Sequence, residues 1–144
     1  MAGYSGTPLP KKLGIREGHR VAFLGAPTTF DATLGPPPEG VTVARAARGA
    51  HAFDVIVLFA KAIVDLEKRL RPSAEALAYD GGLWVAWPKK ASGVKTDVTE
   101  HEVRARGLAI GLVDNKVCAI DETWSGLRLV YRVENRPKDR ASRT

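Results

Sequence analysis

The chain has 144 residues, 44% of them hydrophobic, and carries 22 Lys and Arg against 16 Asp and Glu for a formal charge of +6. A chain of this length fits one domain that buries roughly two-thirds of the surface its unfolded form exposes, and it needs no metal or disulfide to hold it. Its single cysteine, Cys118, excludes an internal disulfide. Residues 1–10 have no apolar core of a signal peptide and no stretch reaches about 18 consecutive apolar residues, so a cytoplasmic protein without membrane contact is expected.

The positive charge is unevenly spread. Residues 135–144 hold four basic side chains (Arg136, Lys138, Arg140 and Arg143) and one acid (Asp139), so a flexible tail accounts for half of the excess. The body that remains is only mildly basic and shows neither an RNP box nor zinc-finger spacing, which argues against nucleic-acid binding. His19, His51 and His101 lie in separate segments without partners at ligand spacing, so no metal site is expected.

Taken in order, residues 1–19 read as an arm, with Leu13 and Ile15 packing onto a domain that spans residues 20–134. Residues 20–26 (RVAFLGA) form a continuous apolar run, too short for a helix, as in a strand covered on both faces. Residues 28–34 predict a short helix closed by Gly35 and Pro36, Pro37 and Pro38, and residues 41–44 a short strand. Residues 53–60 (FDVIVLFA) are the strongest strand signal and predict the centre of a sheet.

Ile63, Leu66 and Leu70 at helical spacing predict a helix interrupted at Pro72, with a further turn over 73–78 stopped by Asp80-Gly81-Gly82. A strand follows at residues 83–87, where Trp84 and Trp87 fall on opposite faces. A helix over 98–108 is announced by two overlapping capping signals, Asp97 before Glu100 and Thr99 before Glu102. Residues 116–120 and 127–133 then pair as an antiparallel hairpin. The fold class is therefore α/β: a short Rossmann-like, mainly parallel sheet that ends in an antiparallel hairpin.

This pattern resembles the later half of the class I methyltransferase fold, with FDVIVLF (residues 53–59) and DGGLWVAWP (residues 80–88) standing for two neighbouring strands. At finer grain KKLGI (11–15), WPKKASGVKTD (87–97) and ETWSGLRLV (122–130) resemble the bacterial, mostly actinobacterial family designated domain of unknown function 3052. The first resemblance implies S-adenosylmethionine at a glycine-rich turn after the first strand and a carboxylate after the second. Here the turn reads Gly25-Ala26-Pro27-Thr28, with one glycine and one proline, the second strand ends in Ala44-Arg45, and the room for a third strand is missing. These departures argue against a bound cofactor.

Open α/β sheets bind ligands beyond the carboxyl ends of their strands. Residues 88–97 occupy such an end, and Lys89, Lys90, Ser92, Gly93, Lys95, Thr96 and Asp97 form the leading candidate site, for a phosphate or carboxylate at a helix N-terminus. The plain reading of the same residues is a solvated loop whose Thr96 or Asp97 caps that helix. A surrounding rim is expected from Gly25, Pro27, Thr28, Trp87, Asp121, Glu122, Trp124 and Arg128, with Arg128 able to pair with the two acids of the turn. The first expectation is a non-catalytic domain that binds an anionic small molecule or a protein partner. The alternative is a reduced S-adenosylmethionine-dependent methyltransferase, and the third reading is nucleic-acid binding through the lysine loop and the basic tail. Oligomeric state is not legible.

Overall fold

In a computed structural model describing residues 6–137, β1 (Arg20–Leu24), β2 (Thr42–Ala44), β3 (Phe53–Phe59), β4 (Leu77–Pro88), β5 (Leu112–Ala119) and β6 (Trp124–Tyr131) form one sheet. Its order is β2-β1-β3-β4-β6-β5. The first four strands run parallel, and β6 runs against both β4 and β5. Four helices complete the fold: α1 (Leu9–Leu13), α2 (Phe30–Leu34), α3 (Ile63–Ala76) and α4 (Glu100–Ala109).

The layering follows from β3. Every residue of FDVIVLF except Asp54 is buried, so both faces of this strand must be covered. Ile56 and Leu58 join Leu83, Val85 and Trp87 beneath Leu66, Leu70 and Ala74 of α3 and Val103 of α4. Val55, Val57 and Phe59, on the alternate face, join Phe23 and Trp84 beneath Leu9 and Leu13 of α1 and Phe30 and Leu34 of α2. Trp84 and Trp87 accordingly lie on opposite faces, and the Trp84 indole N–H donates to the Leu13 carbonyl at 3.0 Å, which fastens the N-terminal arm.

Several expected boundaries move. Pro72 does not break the helix: α3 runs unbroken from Ile63 to Ala76, and Leu70 and Ala74, each 4% exposed, hold its two halves to the sheet. Packing offsets the one backbone bond that proline removes. Asp80-Gly81-Gly82 is not a helix stop either. Strand β4 begins at Leu77, and the register with β3 jumps from Phe53 opposite Leu77 to Val55 opposite Gly82. A Cβ on Gly81 would lie 2.5 Å from the Asp54 carbonyl, so this glycine permits a close backbone approach at a bulge.

The hairpin strands start earlier than expected, at Leu112 and Trp124. Of the residues expected in the tail, Asn135 donates to the Gly111 carbonyl at 3.1 Å and Arg136 to that of Tyr131, while Lys138, Arg140 and Arg143 lie outside the described residues. No described helix is long and apolar enough to cross a membrane.

At the amino end of the sheet, His51 stacks on Tyr79 with ring centroids 3.9 Å apart, and Tyr131 meets both rings. The Tyr131 hydroxyl donates to the Ala74 carbonyl, and burial above all, with Tyr79 and Glu75 adding, pushes its pKa up to about 12. The folded state thus favours the neutral phenol. That contribution is complete below pH 10 and is lost as pH rises toward about 12. Urea midpoints should fall across this window in the parent protein and fall less in Tyr131→Phe; an identical slope would remove Tyr131 from the account.

The bulge generates a second test. Gly81→Ala forces backbone apart and should cost about 1–3 kcal/mol in urea unfolding. Gly82→Ala meets first the far end of the flexible Arg128 side chain and should cost clearly less. Equal losses would refute the backbone origin of the Gly81 requirement.

Candidate functional site

The carboxyl ends of β1 and β3 and the first residue of β6 meet at one rim of the sheet. Between them lies a hollow of about 220 Å³ lined by Gly25, Pro27, Phe59, Lys61, Asp65, Arg69 and Trp124. Its floor is aromatic. Phe59 and Trp124, 5% and 7% exposed, meet edge to face at 5.0 Å, and Phe59 leans in turn on Phe30 at 4.9 Å. Its wall carries two cations and one acid: Lys61 follows β3 closely, Arg69 rises from the second turn of α3, and Asp65 lies one turn before Arg69.

Gly25 turns the chain with φ +67°, a backbone conformation that suits glycine. A Cβ there would lie 3.1 Å from the Phe59 carbonyl oxygen and 3.4 Å from Arg69 Nη1. The space that this glycine leaves is therefore bounded by the Arg69 guanidinium. Pro27 accepts a hydrogen bond from Phe30 N at 2.9 Å and so launches α2. Thr28 is exposed beside it, and Trp87 faces the opposite core under α3 and α4.

The turn before β6 is built around one carboxylate. Asp121 accepts from the amides of Thr123 and Trp124, both at 2.8 Å, and this seats Trp124 on the floor. Glu122 is exposed. Arg128 does not pair with either acid: its guanidinium lies over Gly82, toward the other end of the sheet, and burial, with Arg136 nearby, lowers its pKa. Register decides this, since Arg128 sits opposite Trp84, four residues down β6 from Trp124.

Residues 89–97 are tied to the same end of the sheet, and most of their polar groups bond within the chain. Ser92 donates to the Lys89 carbonyl at 2.6 Å and accepts from Val94 N, with Gly93 in the left-handed region at φ +77°. Thr96 donates to the Lys61 carbonyl at 2.6 Å and accepts from Val98 N. Asp97 accepts from Ile63 N at 2.8 Å, so it caps α3; the cap of α4 is Thr99, which accepts from Glu102 N at 3.3 Å. The expected helix cap is thus real but serves a different helix.

Lys90 and Lys95 are exposed and Lys89 half-buried, and none of the three lines the hollow. The rim hence unites Gly25, Pro27 and Trp124 from the expected set with Lys61, Asp65 and Arg69, which sequence reasoning missed. Their four-residue spacing is visible in the sequence. It reads as a solvated helix stripe until β1 is placed beside it.

Where the methyltransferase resemblance implies a carboxylate after β2, Arg45 instead pairs with Asp31 of α2 at 2.9 Å, contacting both carboxylate oxygens. Cys118 is half-buried, and burial pushes its thiol pKa up, which leaves little thiolate for nucleophilic work. Among the described residues no three His, Cys, Asp or Glu side chains converge as metal ligands do.

Solved structures match this architecture across most of the chain. A SAM dependent methyltransferase from Aquifex aeolicus aligns over 88% of this chain and 89% of its own, at 15% identity and a TM-score of 0.52. The fold is that of the class I methyltransferases. A DhpI–SAH complex structure aligns over 88% and 83% at 12% identity with a TM-score of 0.60, and a protein from Pyrococcus horikoshii OT3 over 86% of each chain at 9% identity with a TM-score of 0.52. No family model and no curated protein matches the sequence. Against that fold the strand order here has β2 at the sheet edge, because residues 45–52 form no strand between β2 and β3.

The cap across the rim is open to a direct test. Asp97→Ala should destabilise the protein by about 1 kcal/mol, and Asp97→Asn by less, since asparagine can also accept from Ile63 N. Denaturant titration that finds Asp97→Ala neutral would show that the contact to α3 contributes nothing.

Proposed function

We propose that this methyltransferase-like domain binds a small anionic ligand, a phosphate or carboxylate compound, in the rim hollow between Gly25 and Arg69, and does not transfer methyl groups. The observation that carries the reading is Arg69 itself. A guanidinium beside the first-turn glycine puts positive charge and five donors where that turn would otherwise meet a cofactor, with Lys61 adjacent. The aromatic floor of Phe59 and Trp124, set edge to face, suits an apolar body attached to the anion.

The residues present do not fit S-adenosylmethionine. One glycine replaces a glycine-rich turn, and Pro27 contributes no amide donor. The end of β2 offers the ion-paired Arg45 and no carboxylate for ribose hydroxyls. The hollow of about 220 Å³ is also smaller than the roughly 300–1,000 Å³ usual for ligand pockets. An anion at the N-terminus of α3 is disfavoured as well, because the Asp97 carboxylate already holds Ile63 N there. A partner protein that inserts an acidic side chain would meet the same two cations.

Thermal-shift titrations with pyrophosphate, acetyl phosphate, AMP and S-adenosylhomocysteine test the reading. A ligand at about 100 times its Kd stabilises the native state by about 2.7 kcal/mol. The phosphate probes should raise the midpoint of the parent protein and leave a Lys61→Gln, Arg69→Gln double variant unmoved. Micromolar calorimetric binding of S-adenosylmethionine, lost when Gly25 is made bulky, would instead support a reduced methyltransferase and overturn the proposal.

A further inference from the structure

The outer edge of β5 combines outward-facing backbone at Val117 with a set of nearby lysines. Strand β5 ends the sheet order, so among the described residues no strand runs along its outer side. The ladder phase shows which groups face outward. Ile120 N donates to the Trp124 carbonyl at 2.9 Å, and the same register places Cys118 opposite Gly126 and Lys116 opposite Arg128. In an antiparallel pair, residues that bond across the ladder alternate with residues that do not. Lys116, Cys118 and Ile120 therefore bond inward, and Val117 and Ala119 turn their amides and carbonyls away from β6. The Ala119 carbonyl, accordingly, accepts from Lys12 Nζ at 2.9 Å.

Along this edge lies an open groove of about 450 Å³ lined by Thr7, Lys11 and Lys12 of the N-terminal arm and by Lys116, Val117, Cys118 and Ala119 of β5. Side chains alternate across it. Cys118 and Ile120 belong to the face covered by α1 and α2, so Lys116 stands on the same face as Lys11 and Lys12. Val117 lies on the other face, opposite Leu127, and is 52% exposed. An added strand would thus meet lysines with one set of its side chains and an apolar surface with the next.

We propose that the β5 edge binds an extended segment of another protein as an added strand, with acidic residues of that segment alternating with apolar ones. Main-chain bonds to Val117 supply pairing, and carboxylates directed at Lys11, Lys12 and Lys116 supply selection. A second copy of this chain is a poor occupant. Edge-to-edge pairing about a twofold axis would set lysines against lysines, and the register shift between Asp114 and Lys116 interrupts a long flat edge. The site is separate from the rim hollow and does not depend on the reading given to it.

The experiment is fluorescence anisotropy of a labelled peptide alternating Glu and Val, titrated with full-length protein at low salt. Saturable binding is expected. Affinity should fall about tenfold or more in a Lys11→Glu, Lys116→Glu double variant and vanish when alternate peptide amides are N-methylated. Bound peptide should also slow labelling of Cys118, which reports this groove alone because it is the single cysteine. The methylated peptide leaves the protein untouched, so it decides the matter even where the variant folds poorly. Absence of saturable binding, equal binding of the methylated peptide or of a Lys-Val peptide, or sedimentation showing dimers that Lys116→Glu alters would each overturn the proposal.

Discussion

Burial of β3 on both faces is the constraint from which the rest follows. A strand with Val55, Ile56, Val57 and Leu58 at 0–2% exposure has no side to give to water. Helices must lie on each face, and the parallel neighbours must be reached by crossovers. The loops then collect at the two ends of the sheet, and any ligand site is confined to a rim. The rim hollow sits where β1 and β3 end because that confinement leaves few other places for polar side chains to converge.

The rim is held by bonds that cross between elements. Thr96 and Asp97 arrive from the segment after β4, yet they satisfy the Lys61 carbonyl and the Ile63 amide at the start of α3. Asp121 does the same for the turn that presents Trp124. Asp97 and Asp121 are thus engaged in positioning, while Lys61, Asp65 and Arg69 face the hollow. The fold is shared with methyltransferases, and fold alone does not carry activity.

The two sheet edges are treated differently. Strand β2 is three residues long and is tied down by Arg45, which pairs with Asp31 and lies 5.7 Å over the Phe23 ring. Strand β5 spans eight residues and is guarded by lysines and a register shift. Short strands and charged edges are both ways to avoid uncontrolled pairing. On β5 the guard is of one sign, so it excludes its own copy more strongly than it excludes an acidic partner.

Local signals were sufficient wherever chemistry is settled within a few residues. The apolar run of β3, the opposite placement of Trp84 and Trp87 and the Thr99 cap of α4 could all be read from periodicity and capping types. Tertiary structure decided the remainder. Pro72 stays inside α3 because Leu70 and Ala74 are packed, Gly81 serves the Asp54 carbonyl across the sheet, and Asp97 caps a helix 34 residues earlier in the chain. Lys61, Asp65 and Arg69 line one hollow only because β1 ends beside them. Sequence spacing specifies which residues share a face, whereas the partner of that face is set by burial of the whole sheet, a property that no short stretch contains.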